Sequence, residues 1–558
     1  MDDYNPECYA IVDIETTLDH KTIHGAGVTL VKNGNIVVSE WCASVESLSN
    51  MLNGVTHVVG HNIIGFDLPI LAEAWGLELP ESIVVIDTLI LSRLSNPSRD
   101  GGHSLRQLAL RCGLNQKQDF DVADFDGLVT EKMVDYCIAD TVANKDVFEF
   151  LLRELKGFST ESIDLEHKVA QETKTQESNG FKLDFPLACS IHTQHTARMK
   201  EIEQELQEVF PPIVEERYSE KTGKRLKDKV TIFNPGSRMQ VAERLSEKGA
   251  VWRELTPTSG RAKVDETTLS HNLHVPEAKL VLEYLIISKR LGMVTAWVNA
   301  VDEDGRIHGR VNTCGAVTGR MTHSKPNLAQ IPSDPTYREC FTVEDGNQLV
   351  GCDASGLELR MLAHYMKDDD YTDLILNGDI HTHNQNLAGL PTRDDAKTFI
   401  YALLYGAGDA KIGTIIDGGA KAGRMLRHKF MSGLPAYSEL MKSIGKILSK
   451  HDTLPGLDGR RLHVRSEHSA LNTLLQSAGA VVMKKALVLA TDALRDAGIP
   501  YTLVAQVHDE VQVEAEPQYA EQIGQAFRKA IQDAGTYYKM RCPLDGEYKV
   551  GPNWSHTH

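Results

Sequence analysis

The stretch AQVHDEVQVE, residues 505–514, alternates apolar and polar residues on both sides of a His-Asp-Glu core. Alternation of this kind is typical of β-strands, so we predict two strands joined by a tight turn at His508, Asp509 and Glu510. Adjacent carboxylates raise each other's pKa unless a cation lies between them. The hairpin therefore predicts a cation site at its tip, to which other parts of the chain must contribute.

Length and composition indicate a multidomain protein of a reducing compartment. The 558 residues suffice for roughly two to four domains with large cores. The nine cysteines are scattered without a C-x-x-C pair, which argues against a zinc ribbon or a thiol redox motif. No apolar run follows a basic N-terminus, and no apolar stretch approaches the ~20 residues of a membrane helix. We therefore expect neither a secretory signal nor a membrane anchor.

The charge of the chain is unevenly distributed. A net charge of −18 argues at first sight against a nucleic-acid partner. Residues 1–160 carry 24 acidic and 11 basic residues, which leaves a net charge of only −5 for residues 161–558. Two stretches are basic, RYSEKTGKRLKDK at 217–229 and the segment 411–429. These stretches can grip phosphates, although solvated surface segments with this composition are common.

The first part of the chain has the pattern of a compact α/β unit. CYAIVDIETT and GVTLVKNGNIVVSEW read as strands, and Asn-Gly-Asn at 33–35 is a hairpin signal. Asp13 and Glu15 lie two residues apart on the first strand, so both carboxylates point to one face. A D-x-E pair by itself is usually a solvated face.

Further acids follow at positions that can converge on this pair. They are Asp67, in VGHNIIGFDLPIL, and Asp140, which shares a helical face with Tyr136. Four carboxylates suit two hard divalent cations, which prefer oxygen ligands. Two such ions can activate a water and stabilise the leaving oxygen in phosphodiester hydrolysis.

A second acidic position lies in LVGCDASGLELRMLAHYM, residues 349–366. A short apolar strand ends at Asp353, Gly356 breaks it, and a helix follows. A carboxylate on such a strand-to-helix turn either faces a ligand or stabilises the N-terminus of the helix.

PTRDDAKTFIYALLYGAG, residues 391–408, predicts a helix with Thr392 as its N-cap and Gly406 in its stop. One face carries a residue at every fourth position: Arg393, Lys397, Tyr401 and Tyr405. The cations can hold a triphosphate and the rings its sugar and base, with His381 upstream as a further candidate phosphate contact. For this helix alone, an exposed amphipathic helix is the simpler interpretation.

Taken in order, these motifs resemble the catalytic core of family A DNA polymerases. The likeness rests on the Asp353 turn, the R-x(3)-K-x(7)-Y-G helix and the His-Asp-Glu hairpin, with TGRMTHSKPNLAQIP at 318–332 and LNTLLQSAGA at 471–480. It is strongest to the replicative polymerases of short-tailed bacteriophages, reaches GPNW at 551–554 and is weakest at 160–300. D-x-E, H-N-x(4)-D and Y-x(3)-D resemble proofreading exonucleases of the DEDD class, tyrosine subtype.

The resemblance implies an α/β and α+β multidomain fold with a ribonuclease-H-like 3′–5′ exonuclease domain, followed by a right-hand polymerase. The expected domains are the exonuclease at 1–160, the thumb with connecting helices at 161–300, the first part of the palm at 301–370, the fingers with adjoining helices at 371–490 and the second part of the palm at 491–558. The expected activity is template-directed DNA synthesis from deoxynucleoside triphosphates with 3′–5′ proofreading, for phage genome replication.

The resemblance also implies two magnesium ions in each active site, with manganese as a substitute. The implied polymerase ligands are Asp353, the Ala354 carbonyl and Asp509, with Glu510 in a supporting role. The implied exonuclease ligands are Asp13, Glu15, Asp67 and Asp140, with Tyr136 positioning the nucleophilic water.

Substrate contacts are implied in the same way. For the nucleotide they are His381, Arg393, Lys397, Tyr401 and Tyr405, with Lys397 as proton donor to pyrophosphate and Glu358 as the gate that excludes a 2′-hydroxyl. For primer–template DNA they are Arg320, Asn327, Gln330, Gln476 and His508, and at the thumb tip Lys221, Lys224 and Arg225. Such groups can test the minor-groove acceptors that every correct base pair presents.

The expected partners are primer–template DNA, deoxynucleoside triphosphates, and a phage helicase-primase and single-stranded-DNA-binding protein, for a monomer in the cytoplasm of an infected bacterium. Only a short segment separates Phe210 from TIFNPGSR at 231, so we expect no thioredoxin clamp, and only residues 1–8 precede the exonuclease motif, so we expect no 5′-nuclease. Three alternatives stay open: a repair or lesion-bypass polymerase, a single-subunit RNA polymerase, and a non-enzymatic nucleic-acid-binding module with dead sites.

Overall fold

The computed structural model describes residues 4, 6–114, 127–256 and 258–558. The strands among them are β1 (Cys8–Thr16), β2 (Ile23–Lys32), β3 (Asn35–Cys42), β4 (His57–Gly60), β5 (Val84–Asp87), β6 (Phe181–Leu183), β7 (Ile213–Tyr218), β8 (Arg225–Thr231), β9 (Arg306–Ile307), β10 (Arg310–Asn312), β11 (Thr322–Ser324), β12 (Phe341–Thr342), β13 (Gln348–Ala354), β14 (Thr453–Pro455), β15 (Arg461–His463), β16 (Thr502–Val507), β17 (Glu510–Ala515) and β18 (Gly546–Gly551). The helices are α1 (Val45–Leu52), α2 (Asp67–Trp75), α3 (Thr88–Ser95), α4 (Leu105–Arg111), α5 (Glu131–Glu154), α6 (Thr160–Asn179), α7 (Phe185–Val209), α8 (Arg238–Glu247), α9 (Glu266–Ser270), α10 (Pro276–Val298), α11 (Pro335–Arg338), α12 (Leu357–Met366), α13 (Asp369–Asn377), α14 (Ile380–Ala388), α15 (Arg393–Leu404), α16 (Asp409–Gly413), α17 (Ala420–Gly433), α18 (Pro435–Leu448), α19 (Ala470–Asp496) and α20 (Pro517–Tyr537).

The first sheet has five strands in the order β3-β2-β1-β4-β5. Strand β1 lies at its centre, antiparallel to β2 and parallel to β4. The predicted β2–β3 hairpin is confirmed, with Asn33 and Gly34 at positive φ angles of 50° and 75°, as two-residue turns between twisted strands require. Ile11 is buried in one core together with side chains of α5, and Val12 in another with side chains of α2. Both faces of β1 are therefore covered, and its acids lie near its carboxyl end.

The second sheet has the order β16-β17-β13-β18, with antiparallel neighbours throughout. The predicted hairpin at 505–514 is confirmed, because β16 ends at Val507, β17 begins at Glu510, and His508 turns the chain with φ 57°. In the register of β13 and β17, Asp353 lies opposite Glu510. The sheet therefore brings the turn after β13 to the tip of the hairpin.

The helices that carry the other motif residues begin and end as local chemistry predicts. Gly356 takes a left-handed conformation ahead of α12, which separates the strand from the helix. Thr392 caps α15 in a reciprocal pair with Asp395. The helix ends at Leu404, and Gly406 follows with φ 72°, where a Cβ would lie 2.5 Å from the His468 carbonyl oxygen.

The chain divides into two compact units. The larger comprises Met1–Gly180, Gly309–Ser333 and Val343–His558, and the smaller comprises Phe181–His308 and Asp334–Thr342. The smaller unit covers most of the segment 161–300, but it begins only at Phe181. The reason is that α6 packs against α19 and β16 in the larger unit.

One helix is longer and more apolar than the sequence analysis expects. The segment Glu467–Asp496 is long and apolar enough to cross a membrane by length and composition, and 78% of its most apolar window is buried inside the protein. The expectation that no segment approaches this length is therefore wrong. The burial explains the composition, since α19 packs against α6, α12, α18 and α20 and is apolar nearly all round.

The basic stretch 217–229 differs from the loop that its composition suggests. Strands β7 and β8 form an antiparallel hairpin within the smaller unit, with Lys221 and Lys224 at its turn. Arg225 pairs with Asp228 at 3.1 Å and with Glu216 at 3.5 Å. The acids of the neighbouring strand, which lie just outside the stretch, therefore offset part of its positive charge.

Candidate active sites

The first candidate site lies where β13 and the β16–β17 hairpin meet. The Ala354 N–H donates to the Asp509 carbonyl oxygen at 3.1 Å, which ties the end of β13 to the tip of the hairpin. Partial desolvation, and after it the charges of Asp509 and Glu510, raise the pKa of Asp353 to about 7. Crowded carboxylates repel one another, and oxygen ligands of this kind suit a divalent cation such as magnesium.

Glu510 has a different environment from its neighbour Asp509. Asp509 lies in the turn, whereas Glu510 is the first residue of β17 and is 4% exposed. Its carboxylate accepts hydrogen bonds from Trp554 Nε1 at 2.6 Å and from the Gln512 amide, and it lies 2.8 Å from His558 Nδ1. The structure therefore places Glu510 in a buried polar network next to the turn at His508 and Asp509.

The crowding of acids predicts a measurable effect on the stability of metal-free protein. A carboxyl group whose pKa is raised by folding stabilises the fold below its unfolded pKa of ~4, and this contribution is lost as the pH rises through about 7. Replacing Asp509 with Asn removes one source of repulsion, so we expect a melting temperature about 2 °C higher at pH 8. The gain should shrink at pH 5, and scanning calorimetry in EDTA at both pH values measures it. A variant that melts lower than the wild type at pH 8 would contradict this account.

Two cations of α15, Arg393 and Lys397, share a helical face near His381 of α14. Arg393 Nε donates to Asp379 at 2.8 Å, and Asp379 also caps α14, two residues before His381. Asp379 accepts the His381 N–H at 3.1 Å and so links this residue to Arg393. Burial, and then the charges of Arg393 and Lys397, lower the pKa of His381. Its Nδ1 atom is buried without a hydrogen-bond partner among the described residues. The predicted triphosphate contacts are therefore assembled in one place.

The carboxylate of Glu358 is held between two groups from distant parts of the chain. The Tyr405 hydroxyl donates to both of its oxygens at 2.9 Å, and Arg320 Nη2 lies 3.4 Å from Oε1. The Tyr401 and Tyr405 rings lie 6.3 Å apart between centroids. Burial, and after it Glu358, raise the pKa of Tyr405. The candidate gate thus joins α12, α15 and the 318–320 turn.

The predicted DNA contacts fall into three groups. Arg320 and His508 line one small cavity of about 20 Å³ with Gln506 and Lys484. The Asn327 side chain accepts from the Ala329 N–H at 3.1 Å and so shapes its own turn. The remaining residues are the exposed Gln330, the half-buried Gln476 on α19, and Lys221, Lys224 and Arg225 on the β7–β8 hairpin. Arg320 and His508 thus line one cavity, and Lys221, Lys224 and Arg225 lie together at one hairpin turn.

Two residues of this region escaped the sequence analysis. Gln506 is 3% exposed, one residue before the end of β16, and its Oε1 has no hydrogen-bond partner among the described residues. Burial, and then the charge of His508, lower the pKa of His323 to about 4. The sequence offered a signal that both residues belong to the site. His323 lies in the motif at 318–332, and Gln506 lies in the hairpin motif at 505–514.

The second candidate site lies at the end of β1. Asp67, at the start of α2, accepts the Ile14 N–H at 3.1 Å, and burial followed by the charge of Asp13 raises its pKa. Asp13 and Glu15 offer ligand oxygens within 4.8 Å of each other and of the Cys137 sulfur. Cys137 is on α5, three residues before the buried Asp140. The predicted D-x-E pair and Asp67 are thus brought together, and α5 carries Tyr136 and Asp140 against β1.

Asp87 supports this site and was missed from the sequence. Its carboxylate accepts backbone N–H groups of Asn62 at 2.8 Å, Ile64 at 3.2 Å and Leu89 at 2.9 Å. These hydrogen bonds therefore fix the 62–64 loop, which leads into Asp67. An aspartate between an apolar strand and a helix is an N-cap signal, so the cap that Asp87 provides could be predicted from the sequence. Its hydrogen bonds to the 62–64 loop could not, because they connect segments that are separate in the chain.

Comparison with known proteins identifies the class of this chain. The sequence profile of DNA polymerase family A matches residues 196–556. The chain belongs to this family, and it is a DNA-directed DNA polymerase. This membership favours a DNA polymerase over a single-subunit RNA polymerase and over a non-enzymatic module.

Its relatives include phage and bacterial enzymes. The chain is 34% identical to the DNA-directed DNA polymerase of Escherichia phage T7, over 90% of this chain and 92% of the relative. The values for the enzyme of Enterobacteria phage T3 are the same. DNA polymerase I of Aquifex aeolicus is 27% identical over 98% of this chain and 96% of its own.

A solved structure has the same fold. The polymerase domain of Pol1 from M. smegmatis, in complex with DNA primer-template and dNTP, aligns with a TM-score of 0.79 over 98% of this chain and 95% of its own, at 19% identity. This match confirms the fold class of the polymerase part, with its mixed helices and sheets.

Proposed function

We propose that this polymerase copies a phage genome by a two-metal mechanism and proofreads with a 3′–5′ exonuclease in the same chain. One observation carries the proposal: the β13 turn with Asp353 meets the hairpin tip with Asp509, so two acids from distant segments share one site. In this proposal, the β16-β17-β13-β18 sheet is the palm, α14 and α15 belong to the fingers, the smaller unit contains the thumb, and the five-stranded sheet is the ribonuclease-H-like exonuclease.

The acids fit divalent cations on the chemistry of their donors. Asp353 and Asp509, with the Ala354 carbonyl, would hold magnesium at the polymerase site, and Asp13, Glu15, Asp67 and Asp140 would hold it at the exonuclease site. Manganese has the same preference for oxygen and can replace it. When bound, the ions activate the attacking oxygen, which is the primer 3′-hydroxyl at one site and a water at the other, and stabilise the leaving oxygen.

The chain's own residues bind and orient the substrates. The cations Arg393 and Lys397, with the imidazole of His381 beside them, would hold the triphosphate. Lys397 would give a proton to the departing pyrophosphate, because an ammonium beside phosphate oxygens is a suitable acid. Tyr401 and Tyr405 would carry the sugar and base, and Tyr405 would turn away from Glu358 as the fingers close.

At the exonuclease site, Tyr136 would orient the nucleophilic water. It lies one helical turn before Asp140 on α5, so the two side chains share a face. The assembled acids favour a proofreading replicative enzyme over a lesion-bypass polymerase, which would not need them. The remaining contacts, from Arg320, Gln476 and His508 to the basic hairpin turn, would touch primer–template DNA.

A single gel tests both activities. A labelled primer–template is incubated with magnesium and four deoxynucleoside triphosphates, and then with magnesium alone. We expect extension in the first reaction and shortening from the 3′ end in the second. Extension without shortening would refute the exonuclease proposal and leave the polymerase intact.

Glu358 is expected to discriminate between sugars. Replacing it with Ala opens space beside the 2′ position, so the preference for deoxynucleotides over ribonucleotides should fall by about tenfold to a hundredfold. Glu358→Gln preserves the size of the side chain and should retain most of the preference. The readout is kcat/KM for single incorporation of each nucleotide. Equal selectivity in the wild type and in Glu358→Ala would contradict the role as a gate.

We propose that the enzyme works as a monomer in the cytoplasm of the infected bacterium, with a phage helicase-primase and single-stranded-DNA-binding protein. Thioredoxin is expected to leave its processivity unchanged, because the β7–β8 hairpin takes up the connection between α7 and α8. Product lengths with excess unlabelled trap DNA, with and without thioredoxin, measure this. Much longer products with thioredoxin would contradict the prediction.

A further inference from the structure

Four charged side chains form a cluster in the interior of the larger unit. Glu166 is 0% exposed, Arg460 and Lys484 are each 2% exposed, and Asp458 is 5% exposed. They come from α6, from the turn between β14 and β15, and from α19. Two negative and two positive charges balance, as burial of ions requires.

Lys484 uses its ammonium group completely. Its Nζ donates to Glu166 Oε1 at 2.6 Å, to the Thr313 carbonyl at 2.8 Å and to the Gly319 carbonyl at 2.8 Å. A lysine has three protons to donate, and each of them has an acceptor here. Two of the three acceptors are backbone carbonyls of one segment, which this contact fixes.

Arg460 covers the same turn from another side. Its guanidinium binds Asp458 at 2.7 Å and Glu166 at 2.8 Å. Gly319 has φ 73°, and a Cβ at this position would lie 2.6 Å from Arg460 Nη1. The Gly319 turn is therefore held by a bond to its carbonyl and by close packing against its α-carbon.

The next residue in the chain leads to the nucleotide pocket. Arg320 lies 3.4 Å from Glu358, which also receives the Tyr405 hydroxyl at 2.9 Å. Two contacts, with the peptide bond from Gly319 to Arg320 between them, thus connect Lys484 with the candidate gate. Replacement of a buried ion cluster by apolar residues is often neutral for stability. The presence of these buried charges is therefore better explained by the geometry that they impose on the Gly319 turn.

We propose that Lys484 is a positioning residue for nucleotide selection. With Glu166 and Arg460, it fixes the Gly319 turn and hence the guanidinium of Arg320, which holds Glu358 in place. The inference rests on the proposed role of Glu358 as the gate against a 2′-hydroxyl. Lys484 thereby takes part in sugar discrimination through its bond to the Gly319 turn.

The test compares three variants of the full chain. Lys484→Met removes the contact, and Glu166→Gln with Lys484→Met removes it while keeping the buried charges balanced, so that folding is preserved. Lys485→Met is the matched control, since Lys485 pairs with Glu161 at 3.2 Å and lies over the Tyr537 ring. Melting temperatures establish that each variant is folded.

Selectivity between deoxy- and ribonucleotides is then measured as the ratio of kcat/KM in single-nucleotide incorporation. We expect a loss of about tenfold in both Lys484 variants, from a changed discrimination between sugars, and none in Lys485→Met. In a Glu358→Ala background, the Lys484 changes should cause no further loss, because the gate they act through is absent. Unchanged selectivity in the charge-balanced variant, or a full additional loss in the Glu358→Ala background, would overturn the inference.

The design separates this inference from the proposed function. If Glu358→Ala alone retains full selectivity, the gate itself is wrong. If Glu358→Ala loses selectivity and the Lys484 variants do not, the gate stands and the positioning role of Lys484 fails.

Discussion

Replacement of Asp509 by Asn is expected to lower the rate of nucleotide incorporation by at least about 10³-fold. The change preserves the size of the side chain and removes the charge that, with Asp353, would hold magnesium. Loss of a metal ligand removes stabilisation of the attacking and leaving oxygens in the transition state, and each factor of ten corresponds to about 1.4 kcal/mol. Rapid-quench measurement of a single incorporation at saturating primer–template gives the rate.

The control for this variant is Asp533→Asn. Asp533 lies on α20 of the same unit, is exposed and pairs with Lys529 at 2.6 Å, so the substitution makes the same charge change away from the hairpin. It should incorporate within about twofold of the wild-type rate, since surface substitutions usually have small effects. A wild-type rate in Asp509→Asn would refute the assignment of this acid.

The second large effect concerns proofreading. Replacing Asp13 and Glu15 together with Ala is expected to reduce primer shortening by at least about 10³-fold while extension remains within about twofold. Both carboxylates lie on β1 beside Asp67, and their loss leaves too few oxygen ligands for two cations. Release of labelled mononucleotides from single-stranded DNA measures the activity without interference from synthesis.

A neighbouring acid provides the matched control. Asp135 is exposed on α5 next to Tyr136, so Asp135→Asn changes a charge close to the site without touching its ligands. It should keep its exonuclease activity. Retention of primer shortening in the Asp13 and Glu15 variant would place the hydrolytic site elsewhere, whereas a parallel loss of extension would indicate a general folding defect.

Local sequence signals predicted the parts of the fold that local chemistry decides. The turn at 33–35, the cap at Thr392 and the hairpin around His508 were confirmed, because glycine, capping residues and alternation act over a few positions. The pairing of β13 with β17 is not local and was not predicted; the family resemblance indicated only that Asp353 and Asp509 share one site. Without that resemblance, Asp353 was only an acid on a turn.

Contacts between distant residues were beyond the reach of sequence patterns. Lys484 and Glu166 are separated by 318 positions, and nothing in either segment indicates an ion pair. The basic stretch 217–229 was interpreted as positive because its partners Glu215 and Glu216 lie just outside it, and only the β7–β8 pairing brings them alongside. The apolar length of α19 was likewise underestimated. Its many small residues give a weak apolar signal in the sequence, and only the fold shows that they are buried.

We propose that Asp353 and Asp509 form one metal-dependent catalytic unit. The most direct test measures single-nucleotide incorporation as a function of magnesium concentration for the wild type, Asp353→Asn, Asp509→Asn and the double variant. Residues that act as a unit are strongly non-additive, so each single variant should lose about as much rate as the double variant, at every magnesium concentration. Independent, multiplying losses, or wild-type incorporation in either single variant, would contradict the account.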